Sequence, residues 1–188
     1  MSHSEETTSK SQLYQDSPNI MLTCFPSQPT LLLAKNGSTS FPDHPEWSVY
    51  NYGQATSVRL ILTTIGPLPH PMHLHGHNFF VLGEAPINET VKLNTENPQR
   101  RDTQLIRPGY QLVLQYNTDN PGIWPFHCHI AWHVSAGLYT SLMEHPDEIR
   151  KIQFPSLVHE TCDAWSDYTK TTTVDQIDSG LRAMQVKE

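Results

Sequence analysis

"WPFHCHIAWHV", residues 124–134, places Cys128 between His127 and His129 and adds a third imidazole at His133. A structural cysteine or a disulfide partner gains nothing from imidazole neighbours. Thiolate and imidazole groups are both metal ligands, and short spacings let one segment present several of them to an ion. The stretch therefore predicts metal binding, at one site or at more than one.

A β-strand would divide these side chains between two faces. Successive side chains on a strand point to opposite sides, so His127 and His129 share one face while Cys128 points to the other. The same segment can then contribute to a thiolate site on one side and to an imidazole site on the other. Because adjacent peptide units join the two sites covalently, we expect the thiol to pass electrons to the imidazoles beside it.

A second stretch, HPMHLHGH at residues 70–77, brings seven of the 11 histidines into two short segments. His73 and His75 would share a strand face by the same alternation. An all-histidine face suits copper or zinc. Zinc alone would not explain a thiolate bridge, but it remains an alternative for His73 and His75 taken without the other stretch.

The thiolate site has the ligand types of blue copper. A thiolate with two imidazoles, trigonal and with a weak or absent axial ligand, is typical of blue-copper electron-transfer sites. Cys128 and His133 would supply two ligands through a short loop, and His70 from the other stretch is the natural third.

The composition argues against some classes of partner. The chain has 188 residues, enough for one domain with its own core and some extra segments. Its 12 basic and 19 acidic residues give a formal net charge of -7, which argues against nucleic acid or an anionic membrane surface. No apolar run approaches the roughly 20 residues of a membrane span. The polar start, MSHSEETTSK, lacks the apolar core of a signal peptide.

Short apolar runs predict an all-β fold. Pro, Gly and Asn separate them, and many short strands at this cadence are typical of a sandwich or a Greek-key barrel. The predicted strands are TLLLA (30–34), SVRLILTT (57–64), FFVLGE (79–84), YQLVLQY (110–116) and LYTSLME (138–144). Residues 1–18 are expected to form a flexible tail or linker remnant. SLVHETCDAWSDY predicts a packing helix that begins near Ser156.

Four segments together resemble the third cupredoxin domain of a multicopper oxidase, and more narrowly that of an ascomycete-type fungal laccase. They are HPMHLHGHNFFVLG, NPQRRDT, DNPGIWPFHCHIAWHVSAGL and DSGL. The resemblance implies a cupredoxin-like (plastocyanin-like) Greek-key β-barrel or sandwich with short helices over residues 19–150. It also implies a C-terminal extension over residues 151–188, with a helix and a plug-like DSGL segment at residues 178–181.

The resemblance implies a copper role for most of the clustered histidines. The implied ligands are His70, Cys128 and His133 for the type 1 copper, His73 for the type 2 copper, and His75, His127 and His129 for the type 3 coppers. Cys128 with His127 and His129 would carry the catalytic electron transfer. Leu138 falls at the variable axial position of the type 1 copper, where leucine cannot coordinate. His77 closes its motif without being a ligand in the family.

The implied activity couples one-electron oxidation of phenolic substrates at the type 1 copper to reduction of dioxygen to water at a trinuclear cluster. In the family, the first domain supplies half of that cluster through two further His-x-His motifs. This chain has no such motifs, and its other histidines, His3, His44, His145 and His159, are scattered. We therefore expect the C-terminal part of an extracellular laccase, which needs the first and second cupredoxin domains as partners and is inactive alone.

Two other functions stay open at this point. The chain could be a self-standing blue-copper carrier that uses only the type 1 site, or a non-catalytic copper-binding remnant. A carrier would have no use for the histidines of the other face. If Cys128 is a ligand, Cys24 and Cys162 could pair with each other, pair with another part of a longer protein, or stay free. The resemblance implies that Cys162 ties the C-terminal segment to the first domain.

Overall fold

The computed structural model of the chain consists of two β-sheets that share one apolar core. It describes residues 29–42, 47–135 and 137–171. The strands in chain order are β1 (Val49–Asn51), β2 (Ser57–Thr63), β3 (His70–Leu74), β4 (Phe79–Pro86), β5 (Gln99–Arg101), β6 (Thr103–Ile106), β7 (Tyr110–Asn117), β8 (Gly122–Cys128) and β9 (Tyr139–Glu144). One sheet has the order β2-β7-β4-β5 and the other the order β1-β9-β8-β3-β6.

Alternating side chains along the strands build the core between the sheets. In β2 the side chains of Val58, Leu60 and Leu62 are buried, and those between them are more exposed. Phe126 and Cys128 of β8 are buried in the same cluster. This period of two is the reason that short runs of mixed apolar and polar residues fold as strands here. The predicted all-β fold is confirmed, as are the four predicted strands that begin at residues 57, 79, 110 and 138.

The predicted strand at residues 30–34 is wrong, because this run forms helix α1 (Thr30–Lys35). Leucine, alanine and lysine are strong helix formers, and periodicity alone cannot assign a short apolar run. Buried Ala34 anchors the helix in a second, smaller apolar cluster. The other buried members of that cluster are Ile123, Met143 and Ile149.

Three more helices follow, α2 (Ala131–Ser135), α3 (Pro146–Ile149) and α4 (Ser156–Thr171). The predicted C-terminal helix is confirmed by α4, although its Leu157 and Trp165 are exposed rather than packed. The predicted tail at residues 1–18 and the DSGL segment lie outside the described residues. Within the described part of the chain, no helix has the length and apolar character that crossing a membrane requires.

Strands β3 and β8 bring the two histidine stretches side by side. They pair antiparallel near the middle of their sheet, with Met72 opposite Cys128 and His73 opposite His127. Because opposite residues of paired strands project to the same face, Cys128 joins Met72 in the core. His73 and His127 both project away from the core.

A tight turn ends the first histidine stretch. Gly76 has φ +71°, and a Cβ at this position would lie 2.5 Å from the Trp124 ring, so that only glycine fits. The Asn120 side-chain amide donates to the Gly76 carbonyl at 3.0 Å, and the Trp124 indole N–H donates to the Asn120 carbonyl at 2.7 Å. The turn is therefore stabilised by Trp124 of β8 and by Asn120, which precedes this strand.

Candidate metal centre

The thiol of Cys128 and two imidazoles meet on the core side of β3 and β8. The Cys128 Sγ lies 3.3 Å from His133 Nδ1 and 3.7 Å from His70 Nδ1, and the two Nδ1 atoms are 3.2 Å apart. His70 comes from β3, Cys128 ends β8, and His133 lies in α2, one short loop later. The structure thus brings together the three residues that the sequence selected for a thiolate site.

The geometry of these three residues fits a metal ion. In the plane of the three atoms, one point lies about 2 Å from each of them, close to the metal–nitrogen and metal–sulfur bond lengths of protein sites. Their ligand atoms form the one group of three or more such atoms that converges within 4.8 Å among the described residues. One soft thiolate and two imidazoles in a triangle are the donor set that suits copper.

Leu138 borders this group through its backbone. Its N–H donates to the His133 carbonyl at 2.9 Å, and its own carbonyl accepts from the Cys128 N–H at 3.0 Å. Its side chain is partly buried against the main core. On the outer side, Trp132 is 63% exposed, and its ring meets that of His133 edge-on with 6.1 Å between the centroids.

Burial shifts the pKa values of His70 and Cys128 in the direction that favours their neutral forms. It lowers the pKa of His70, and the neighbouring His133 lowers this pKa further. Burial also raises the pKa of the Cys128 thiol, against the opposing effect of a hydrogen bond with the Ile130 backbone. A metal cation would have to displace the thiol proton on binding, as is general for cysteine sites.

Four histidines cluster on the opposite side of the two strands. The Nε2 atoms of His75 and His127 face each other at 3.0 Å. The His73 ring centroid lies 4.8 Å from that of His75, 5.6 Å from that of His127 and 5.5 Å from that of His129. Burial lowers the pKa of His75, and the charges of the other three rings lower it further. We call these four residues the histidine face.

Backbone groups orient two rings of the histidine face. The Nδ1 of His73 is 2.9 Å from the Asp102 carbonyl, and the Thr103 hydroxyl lies at the same distance from this nitrogen. The Nδ1 of His127 lies 2.8 Å from the Cys128 carbonyl. Since a carbonyl only accepts, each Nδ1 is the donor in its contact, and Nε2 is the ring nitrogen whose lone pair a metal would bind. The RRDT segment thus supports His73, a role that the sequence did not reveal.

The histidine face opens onto a polar cleft of about 310 Å³. His73 and His75 line it together with the Gly76 turn, Arg100, Asp102 and Asp119. The cleft is therefore bordered by imidazoles on one side and charged groups on the other. Its volume is large enough to hold several further side chains next to the imidazoles.

A buried ion pair lies behind the histidine face. Glu144, at the end of β9, has a side chain that is 1% exposed, and its Oε1 lies 2.8 Å from Nε2 of His77, whose side chain is 2% exposed. Among the described residues, His77 Nε2 and both carboxylate oxygens of Glu144 have no regular hydrogen-bond partner, so their contact is an ion pair. Burial, the largest single effect, lowers the pKa of His77, but Glu144, the His75 carbonyl and Asp119 together raise this pKa above its usual value.

No sequence motif relates His77 to Glu144. The family resemblance implies no metal role for His77, and Glu144 belongs to no metal-binding motif. The signal that could have found it is an acidic residue that ends the apolar run LYTSLME, at a strand position that proves to be buried.

Known proteins resemble this chain over most of its length. A family model described as multicopper oxidase matches residues 13–148. Laccase-1 of Melanocarpus albomyces is 43% identical over 132 residues, which are 61% of this chain and 21% of the relative. Oxidoreductase OpS5 of Beauveria bassiana is 40% identical over 164 residues, 82% of this chain and 28% of the relative.

Solved structures agree with the sequence comparisons. The laccase from Botrytis aclada matches with a TM-score of 0.69 and 33% identity, covering 82% of this chain and 30% of that chain. A multicopper oxidase that functions in iron import matches with a TM-score of 0.65 and 30% identity, covering 75% of this chain and 30% of that chain. This chain therefore spans less than a third of the length of these relatives.

Proposed function

The chain belongs to the multicopper oxidase family, and from this premise we propose that it is the copper-binding part of a laccase-like oxidoreductase. Its fold is the all-β cupredoxin-type fold of the matched structures. The family implies copper as the cofactor. We assign the cupredoxin domain to residues 19–150 and a C-terminal extension to residues 151–188. The proposed activity is oxidation of phenols, coupled to reduction of dioxygen to water.

The proposed copper ligands divide between the two sides of β3 and β8. We assign His70, Cys128 and His133 to a type 1 copper, His73 to a type 2 copper, and His75, His127 and His129 to type 3 coppers. The observation that carries this assignment is the register of β3 and β8, which sets Met72 opposite Cys128 and His73 opposite His127. We call His70, Cys128 and His133 the thiolate group. Because of this register, the thiolate group and the histidine face lie on opposite sides of the same two strands.

Copper bound at these residues would supply one-electron redox chemistry, taking electrons from a phenol on the thiolate side and delivering them to dioxygen on the histidine side. Cys128 links the two sides, because its backbone continues directly into His127 and His129. The apolar core around Cys128, which is 0% exposed, keeps water from the thiolate. The half-buried His133, beside exposed Trp132, is where we place the approach of a phenol.

A copper carrier with one site is the less favoured alternative. Such a carrier needs only Cys128, His70 and His133. This chain also holds the four imidazoles of the histidine face, whose ring centroids lie 4.8 to 5.9 Å apart in the pairs His73–His75, His73–His127, His73–His129 and His127–His129. Four imidazoles and an open polar cleft suit a cluster that a second surface completes. We propose that the first cupredoxin domain is this partner, that the second contributes to the phenol pocket, and that the enzyme acts outside the cell.

The test is a coupled assay on an enzyme that contains this chain together with the other two domains. Four one-electron oxidations of a phenol should accompany each dioxygen consumed, because water is the product of a four-electron reduction. Hydrogen peroxide in place of water, or phenol oxidation that does not depend on dioxygen, would contradict the proposal.

The axial assignment of Leu138 is tested by Leu138→Met. A thioether could coordinate weakly at the axial position, and we expect it to lower the reduction potential of the thiolate-bound copper. The two side chains are close in volume, so the packing cost should stay below about 1.5 kcal/mol. A redox titration of the blue absorption band measures the change. Leu142→Met, at a buried position of β9, is the matched control and should leave the potential unchanged. An unchanged potential in Leu138→Met would mean that Leu138 is not axial.

A further inference from the structure

We infer that Glu144 is a positioning residue for the histidine face. Its carboxylate holds the His77 ring, and this ring holds the backbone of His75. The inference rests on the proposed function and deepens it, because it names two residues that would shape a copper site without binding copper.

A chain of short contacts connects Glu144 to His75. The Glu144 Oε1 lies 2.8 Å from Nε2 of His77, and the other ring nitrogen of His77, Nδ1, lies 3.2 Å from the His75 carbonyl oxygen. On its other side, the His75 N–H donates to the Pro125 carbonyl at 2.9 Å. Both peptide groups of His75 are therefore restrained, one by β8 and the other by His77.

The surroundings leave His77 little freedom to turn. Its ring lies between those of Tyr116 and Trp124, with centroids 5.0 Å and 5.7 Å away. The Gly76 turn that precedes it is packed against the same Trp124 ring. Asp119 is the other acidic group near Nε2, at 4.0 Å, but its side chain is 75% exposed. Buried Glu144 is thus the group that sets which way the His77 ring nitrogens point.

Stability alone does not explain a buried pair of this kind. Taking two charges out of water is costly, and apolar residues of similar volume often stabilise a fold as well or better. Among the described residues, the His75 carbonyl is a hydrogen-bond partner of His77, and the Glu144 charge also acts on the Tyr116 phenol. His75 in turn places its Nε2 3.0 Å from that of His127. The contacts therefore lead from Glu144 into the histidine face.

The experiment titrates the 188-residue chain with Cu²⁺ and follows two signals. The blue thiolate-to-copper absorption reports the group of Cys128, His70 and His133. The electron paramagnetic resonance signal of a non-blue copper with imidazole ligands reports the histidine face. In Glu144→Gln, which keeps the shape but removes the charge, we expect affinity for the non-blue copper to fall by about 10- to 100-fold, as for other lost supporting contacts of metal ligands. The blue signal should be unchanged.

Glu84→Gln is the matched control. It removes the carboxylate of Glu84, which lies in β4 of the other sheet and is 2.7 Å from Arg107. This change should alter neither signal. If Glu144→Gln binds the non-blue copper as tightly as the unaltered chain, the positioning role is wrong. If the unaltered chain binds no non-blue copper, the inference is overturned for this chain, while the proposed function, in which a second domain completes the cluster, still stands.

A double variant separates positioning from folding. Glu144→Met with His77→Phe replaces the whole pair by apolar side chains, and we expect a thermal unfolding midpoint no lower than that of Glu144→Gln. Affinity for the non-blue copper should still fall by about 10- to 100-fold, because nothing then restrains the His75 carbonyl. A folded double variant with unchanged affinity would overturn the inference even if Glu144→Gln alone does not fold.

Discussion

Replacing Cys128 by serine is expected to abolish phenol oxidation in an enzyme that carries this chain with its partner domains. The hydroxyl removes the soft ligand that selects copper and interrupts the link between the thiolate group and the histidine face. Turnover should fall by more than about 100-fold, the upper end of what a lost supporting contact costs. In the 188-residue chain, the same change should remove the blue band on copper loading.

The fold should survive this substitution. Cys128 is fully buried in the main core, and a buried hydroxyl with no partner costs about 1–3 kcal/mol. Circular dichroism and a denaturant titration measure this cost. Cys162→Ser, at the other cysteine that the described residues contain, is the control and should keep the blue band of the isolated chain. Retained phenol turnover in folded Cys128→Ser enzyme would rule out the assigned role of Cys128.

The second large effect concerns the isolated 188-residue chain, which should turn blue with copper but consume no dioxygen. All three proposed type 1 ligands lie within it and already converge. The histidine face has only four imidazoles, and no further His-x-His motif is present to complete a trinuclear cluster. Oxygen-electrode measurements with a phenol should therefore give the background rate even when the blue band is fully developed.

The two signals make the outcome of that experiment unambiguous. Dioxygen uptake by the pure chain would overturn the view that it is part of a larger active unit. A chain that is folded and copper-loaded but colourless would overturn the type 1 assignment. Exposed apolar side chains such as Trp132 and Leu105 favour aggregation, so light scattering should accompany each measurement.

Much of the candidate site could be predicted because its information is local. The alternation of a strand separates Cys128 from His127 and His129 in any β conformation, and the ligand types alone point to copper. The same local rule located four strands. It failed at residues 30–34, where leucine and alanine suit a helix as well as a buried strand, and where the packing of Ala34 decides.

The sequence by itself determined which residues carry metal chemistry and on which side of a strand each would lie. Only the tertiary structure decided how the two stretches meet, because the register of β3 against β8 depends on packing across the whole sheet. The ion pair of His77 and Glu144 joins residues far apart in the chain, and no local pattern relates them. Backbone geometry is set by residues that are neighbours in sequence. A buried ion pair between distant residues forms only when the chain folds and both side chains are enclosed in the core.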